Sequence, residues 1–240
     1  MKIPGCTALV TGANRGMGRH FARQLLDRGA AKVYATARTP ERVDIPGVEV
    51  LRLDVTDPAS VAAAADAAQD VTLLVNNAGT LTRQNLVAGD MELIRLEMET
   101  NFFGPLNTIR AFAPVLGRNG GGAVLNVLSA LSWAAYDGSN AYAAAKAAAW
   151  NLTNGVRLEL AEQRTEVTGL VVGSVDTDMM AGWDNAGIVK NDPADVVRSA
   201  LDGVEARAFE VLADDASVQL KAALSGDPKA LYPQAVPADR

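Results

Sequence analysis

One cysteine and one histidine occur in 240 residues. A lone Cys6 excludes an intrachain disulfide and points to a reducing compartment. With His20 the sole histidine and no His/Cys cluster, a zinc site has no ligands to build from, and no metal is expected. His20 follows a glycine-rich stretch on an expected helix and reads as structural or solvated. No apolar run approaches the roughly 20 residues that span a bilayer, and the opening "MKIPGCTALVTG" carries no long apolar leader. Positive charge is the minority sign: 22 Lys and Arg against 28 Asp and Glu give a net charge of -6, which argues against a general nucleic-acid binder. These absences predict a soluble cytoplasmic protein with neither membrane nor nucleic acid as partner. Linkers, repeats and low-complexity inserts are missing as well.

What is present is 49% hydrophobic content in a chain long enough for one substantial core. Apolar, β-branched runs recur at Cys6–Thr11, Lys32–Ala37, Val48–Leu53, Thr72–Asn76, Ala123–Ser129, Val167–Val172 and Phe209–Ala213. Helical patterns lie between them, including Gly18–Arg28, Ala59–Gln69, Leu93–Leu116 and Asn140–Gln163. Short strands apolar on both faces, each followed by a helix, predict a parallel sheet covered on both sides. The expected fold class is α/β, a doubly wound Rossmann-type sheet of about seven strands. One domain over residues 1–240 is expected. Its cofactor-binding part is roughly 1–125, its catalytic and substrate part roughly 126–225, and a Pro- and Ala-rich surface tail roughly 226–240.

Two stretches carry chemistry. "TGANRGMG" (Thr11–Gly18) leaves the first strand and opens a helix, with Gly12, Gly16 and Gly18 spaced G-x-x-x-G-x-G. Glycines there let the backbone turn tightly and approach a pyrophosphate, which the free N–H groups of the helix start then face. "SNAYAAAK" (Ser139–Lys146) places Tyr142 and Lys146 four apart in a run rich in the best helix former, so both point the same way. Alone, Y-x-x-x-K is also compatible with two polar residues on a surface helix.

Taken in order, the glycine spacing, "NNAG" at Asn76–Gly79, Ser129 and the Tyr142/Lys146 pair resemble the short-chain dehydrogenase/reductase family over nearly the whole chain. The resemblance implies a catalytic set of four. Tyr142 is the acid/base, Lys146 its partner and ligand of the nicotinamide ribose, Ser129 the holder of the substrate oxygen, and Asn101 in "METNFFG" the link from Lys146 to a water chain. A free tyrosine, with a pKa near 10, is a poor base at neutral pH. A lysine cation about 4 Å away favours the phenolate by roughly 4 kcal/mol at an effective dielectric of about 20, equivalent to as much as about three pKa units. Burial of the phenolate opposes this. Tyr136 has no lysine at i+4, and Ser132 stands at the wrong distance from Tyr142.

The resemblance also implies a cofactor set: Gly12, Asn14, Arg15, Gly16, Met17, Gly18, Arg38, Asp54, Val55, Asn76, Ala78, Gly79, Tyr142, Lys146, Gly173, Val175 and Thr177. An acid at the end of the second strand would select NAD; this chain has Thr36–Ala37–Arg38 there. A guanidinium suits a ribose 2′-phosphate, and Arg15 supplies a second cation, so NADP(H) is expected. Asp54 could accept from the adenine amino group.

The implied activity is NADPH-dependent reduction of a ketone or aldehyde, reversible as alcohol oxidation. A non-catalytic NADP-binding sensor or scaffold is the alternative. Candidate substrate residues are Ser129, Trp133, Tyr136, Met179 and Trp183, with Leu81 and Met180 nearby; their character points to an apolar or aromatic carbonyl. Val172 stands where the family usually has proline, which predicts a less rigid turn before Gly173. The short segment between Thr177 and Pro193 predicts an abbreviated lid. A homodimer or homotetramer through the two long helices is expected.

Overall fold

The computed structural model describes residues 1–181 and 188–235. Seven parallel strands form one sheet: β1 (Thr7–Thr11), β2 (Lys32–Ala37), β3 (Glu49–Arg52), β4 (Leu73–Asn76), β5 (Gly122–Val127), β6 (Thr165–Val171) and β7 (Glu210–Leu212). Their spatial order is β3-β2-β1-β4-β5-β6-β7. The chain winds outward from β1 to β3, then returns to the middle and winds the other way. The switch point falls between β1 and β4, where open α/β sheets bind their ligands beyond the strand ends.

Strand residues alternate between two buried layers, as a pleat requires. Ala8, Val10, Leu73, Val75, Ala123 and Leu125 meet α1 (Gly16–Asp27) and α6 (Pro193–Glu205). Leu9, Leu74 and Val124 meet α2 (Pro58–Ala67), α4 (Gly104–Arg118) and α5 (Asn140–Glu159) on the other face. Two shorter helices, α3 (Met91–Met98) and α7 (Asp215–Ala223), complete the set. Aspartates start several helices: the Asp57, Asp90, Asp192 and Asp214 side chains each accept from N–H groups of the first turn. Among the described residues, no helix is long and apolar enough to cross a membrane.

Two expectations change. The single helix Leu93–Leu116 is three pieces, because Glu99–Phe103 forms a π-turn between α3 and α4. Such a bulge widens one turn, and here it is centred on Asn101. The described part of the surface tail, residues 226–235, is largely exposed but tethered, since Tyr232 Oη accepts a hydrogen bond from the Ala135 N–H at 3.1 Å.

A chain of buried polar side chains crosses the sheet. The Thr108 hydroxyl lies 2.6 Å from Asn76 Oδ1, Asn76 Nδ2 donates to Asn126 Oδ1 at 2.9 Å, and Asn126 Nδ2 donates to Thr153 Oγ1 at 2.9 Å. It ties α4, β4, β5 and α5 together in one register just below the switch point.

Candidate active site

A groove of about 380 Å³ runs across the carboxyl ends of β1 to β4. The glycine loop forms one wall through Gly12, Asn14, Arg15, Gly16 and Met17. Gly12 has φ +67°, a backbone region that side-chain-bearing residues rarely adopt. Gly18 lies behind the loop, where a Cβ would sit 2.1 Å from the Gly12 carbonyl oxygen. That contact lets α1 start directly against the loop, with its first N–H groups at the groove. Arg38, Asp54, Val55, Ala78, Gly79 and Thr177 also line it. Asp54 is held in place by Oδ1, which accepts from the Thr56 N–H and hydroxyl at 3.0 and 2.8 Å.

Several expected cofactor residues lie elsewhere. Asn76 spends its side chain in the buried polar chain, and Asn77 takes its place at the groove. Asn77 Nδ2 donates to the Thr11 and Gly12 carbonyls, so it braces the glycine loop as well. Gly173 and Val175 do not reach the groove. The Gly173 N–H donates to Asp214 Oδ2 at 2.6 Å, and Val175 is buried in a bridge to Asn191. Asn191 Nδ2 donates to the same carboxylate at 2.8 Å. Asp214 therefore pins both ends of the segment after β6, and the turn at Val172–Gly173 is held by hydrogen bonds instead of a proline ring.

Arg42 was not anticipated. It ends the 3-10 turn Pro40–Arg42 that follows β2 and joins Arg15 and Arg38 around the groove. Its four-residue offset from Arg38 was the only available sign. Arg15 also pairs with Asp178 across the groove at 3.8 Å, but both side chains are mostly exposed, so this pair is weak and easily exchanged.

The four catalytic candidates come from three elements. Asn101 sits in the π-turn, Ser129 just past β5, and Tyr142 and Lys146 one turn apart on α5. Asn101, Ser129 and Lys146 are buried, and Tyr142 is half-buried. Ser129 Oγ accepts from the Leu131 N–H at 3.1 Å while Ser132 Oγ accepts from the Ser129 N–H at 3.3 Å. Ser132 thus fixes Ser129 instead of competing with it. Asn101 Oδ1 accepts from the Thr80 N–H and its Nδ2 donates to the Thr80 carbonyl, which secures the groove's inner wall.

Electrostatics differ from expectation. Lys146 Nζ donates to the Val127 carbonyl at 2.9 Å and lies 5.6 Å from the Tyr142 ring centre. Burial lowers the Lys146 ammonium to about 8. Tyr142 is pushed up to about 12, chiefly by burial, against the lowering effect of the Ser129 hydroxyl. Burial thus outweighs the Ser129 contact in favouring the neutral phenol of Tyr142.

The substrate candidates divide. Met179 lines the groove, Tyr136 is exposed, and Leu81 and Met180 are half-buried. Trp133 packs edge-on against Trp150, 6.3 Å between ring centres, and borders a separate apolar groove with Leu86, Val87 and Tyr232. Trp183 lies outside the described residues.

Comparisons with known proteins agree with this arrangement. A solved short chain dehydrogenase from Burkholderia cenocepacia, in complex with NADP, superposes with a TM-score of 0.92 at 40% identity, covering 99% of this chain and 100% of that one. The 3-oxoacyl-acyl-carrier-protein reductase of Salmonella typhimurium is 32% identical over 237 residues, 90% of this chain and 93% of the relative. The NADPH-dependent 1-acyldihydroxyacetone phosphate reductase of Schizosaccharomyces pombe is 34% identical over 182 residues, 72% of this chain and 61% of its own length. Residues 6–187 match the family described as short chain dehydrogenase. The matched family model and these relatives, over a sheet with a glycine-loop groove at its switch point, show that the chain belongs to the short-chain dehydrogenase/reductase family of oxidoreductases.

Proposed function

We propose that the protein is an NADPH-dependent carbonyl reductase, reversible as an alcohol dehydrogenase, in which Tyr142 is the proton donor. The observation that carries this reading is geometric: Tyr142 and Lys146 lie one turn apart on α5 with Lys146 Nζ 5.6 Å from the Tyr142 ring centre, in a fold whose groove bears three arginines. The groove residues fit the cofactor: Gly12 permits close backbone approach, and Arg15, Arg38 and Arg42 suit a 2′-phosphate. When bound, the nicotinamide supplies the hydride, the part of the chemistry no side chain can perform. Ser129 orients the carbonyl oxygen, and Tyr142 delivers its phenolic proton to that oxygen as negative charge develops. Lys146 would hold the nicotinamide ribose and would stabilise the phenolate left on Tyr142, and Asn101 would support proton resupply. Leu96 and Met179 border the groove and favour an apolar substrate. Two relatives act as reductases, one of them NADPH-dependent, which supports the reductive direction. Assembly through α4 and α5 as a dimer or tetramer belongs to the same proposal, with light scattering as its check.

The test is NADPH oxidation with a panel of ketones and aldehydes. Tyr142→Phe keeps the ring and removes the donor, so kcat should fall at least about 10²-fold while NADPH affinity holds. Tyr136→Phe should leave kcat intact. Near-normal turnover by Tyr142→Phe would remove the mechanism.

A further inference from the structure

Side chains set behind the groove hold its walls. Asn77 braces the glycine loop, and Asn101 grips Thr80 on the inner wall. Residues 177–179 also line the groove. A Cβ added to Gly16 would stand 3.4 Å from the Thr177 methyl, and one added to Gly79 would stand 3.9 Å from the tip of Met179. This wall therefore lies against both of the others. Its support is the cluster around Asp214, which has no part in the mechanism above.

The chain leading to this wall is irregular. Residues 173–176 run between β6 and the 3-10 turn Asp178–Met180. Two backbone hydrogen bonds pair them with Asn191: the Asn191 N–H donates to the Ser174 carbonyl at 2.8 Å, and the Asp176 N–H donates to the Asn191 carbonyl at 3.0 Å. Those bonds join irregular backbone to irregular backbone. Two side chains fasten the pair to the frame. Asn191 Nδ2 donates to the Ser174 carbonyl at 2.9 Å and to Asp214 Oδ2 at 2.8 Å, which uses both of its hydrogens. The same Oδ2 accepts from the Gly173 N–H at 2.6 Å, and a Cβ on Gly173 would crowd it at 3.0 Å. Asp214 Oδ1 accepts from the Ser217 N–H at 2.7 Å and so caps α7. Asn191 immediately precedes the start of α6, whose Ala194 carbonyl accepts from Gln24 of α1 at 2.8 Å. One carboxylate and one amide thus tie the wall to β7, α7 and α6.

A wall freed from this clasp would stand in its binding position only part of the time. Apparent affinity falls by that fraction. The chemistry after binding does not, because the bound state is the same.

We propose that Asp214 and Asn191 are positioning residues for the cofactor: they hold residues 177–179 against the glycine loop and thereby set the affinity for NADP(H) without touching it. The proposal rests on the groove being the NADP(H) site.

Three variants test it. Asn191→Ala removes the amide and caps no helix. Asp214→Ala removes the clasp and the α7 cap together. Asp214→Asn keeps one oxygen for the Gly173 and Asn191 donors and gives up the cap. NADPH and NADH binding are read by fluorescence titration, and exchange at the Asp176 N–H, which no substitution touches, is read in cofactor-free protein. In Asn191→Ala and Asp214→Ala the Kd for both cofactors should rise by the same factor, roughly tenfold, and Asp176 exchange should quicken about as much. At saturating NADPH, kcat should stay within about twofold. Asp214→Asn should bind nearly as wild type does, although it melts lower. An unmoved Kd in folded Asn191→Ala overturns the proposal and leaves the cofactor assignment standing. A raised Kd with Asp176 exchange unchanged overturns it too, since the wall has then not loosened. Equal losses in Asp214→Asn and Asp214→Ala would trace the effect to the α7 cap and overturn it as well. Wild-type protein that binds no NADPH overturns the cofactor assignment and the proposal together.

Discussion

The rim of the groove and the cluster of catalytic candidates use opposite physics. On the rim, Arg15, Arg38 and Arg42 stand in solvent on the glycine loop and the turn after β2. In the cluster, Asn101, Ser129 and Lys146 are buried and Tyr142 is half-buried. Exposed cations work through screened, exchangeable attraction that salt weakens. Buried groups have their protonation moved by desolvation, and each contact is costly to lose. Binding at the rim should therefore be graded and tolerant, whereas chemistry in the cluster should be all-or-none.

The sharpest test of that contrast is Lys146→Met. Activity should fall by at least about 10²-fold, as for loss of a positioned acid–base group, and NADPH should bind more weakly. Stability should move the other way. Burial lowers the Lys146 ammonium from 10.5 to about 8, so the unfolded chain holds a proton more tightly than the folded one. Below about pH 8 the folded protein bears the full cost of that buried charge, on the order of 3 kcal/mol. The cost fades as pH rises towards 10.5. Lys146→Met should therefore melt higher than wild type at pH 7, and the gap should narrow between pH 8 and 10. A variant that melts lower at pH 7 would place Lys146 among the stabilising contacts and erase the contrast.

On the rim, Arg38→Asp should change cofactor choice while leaving stability almost untouched. It exchanges an exposed phosphate partner for a repelling carboxylate. A charge-assisted hydrogen bond contributes about 1.5–3 kcal/mol, so the KM for NADPH should rise roughly tenfold to a hundredfold. The KM for NADH should hold or fall. Equal losses for both cofactors would mean that Arg38 does not face the 2′-phosphate.

The same division separates what the sequence reveals from what it conceals. Short runs apolar on both faces between turn signals, such as Lys32–Ala37, are legible as buried strands by length and composition, and β2 occupies those very residues. The glycine loop was legible because a tight strand-to-helix turn needs particular residues at fixed spacing. The π-turn was not, since Glu99–Phe103 reads as continuous helix and one widened turn leaves the apolar period nearly intact. Asn76 and Asn77 are adjacent and identical, and only strand parity decides which faces the groove. Trp133 does wall a groove, but a different one from the glycine-loop groove, and residue type alone does not say which. The balance between lysine and burial at Tyr142 was not legible, because a four-residue spacing gives the direction of Lys146 but neither its 5.6 Å separation nor the depth of burial.

Arg42 offers the smallest effect and the finest distinction. It borders the groove beside Arg38 and Thr39, one 3-10 turn beyond β2, with its guanidinium exposed. Arg15 and Arg38 already supply two cations there, and water screens the third. Losing one exposed contact costs at most about 1 kcal/mol, so Arg42→Ala should raise the KM for NADPH about fivefold. NADH, with no 2′-phosphate, should be unaffected. Because the Debye length is about 8 Å at physiological ionic strength and about 3 Å at 1 M, the NADPH defect should shrink in high salt. Tyr142→Phe, whose defect lies in a proton transfer away from bulk solvent, should lose nothing of its severity under the same conditions. Parallel salt titrations of the two variants thus read the contrast directly. A salt-insensitive Arg42→Ala defect, or one shared by NADH, would mean that Arg42 shapes the turn after β2 and does not act as a cation for the cofactor.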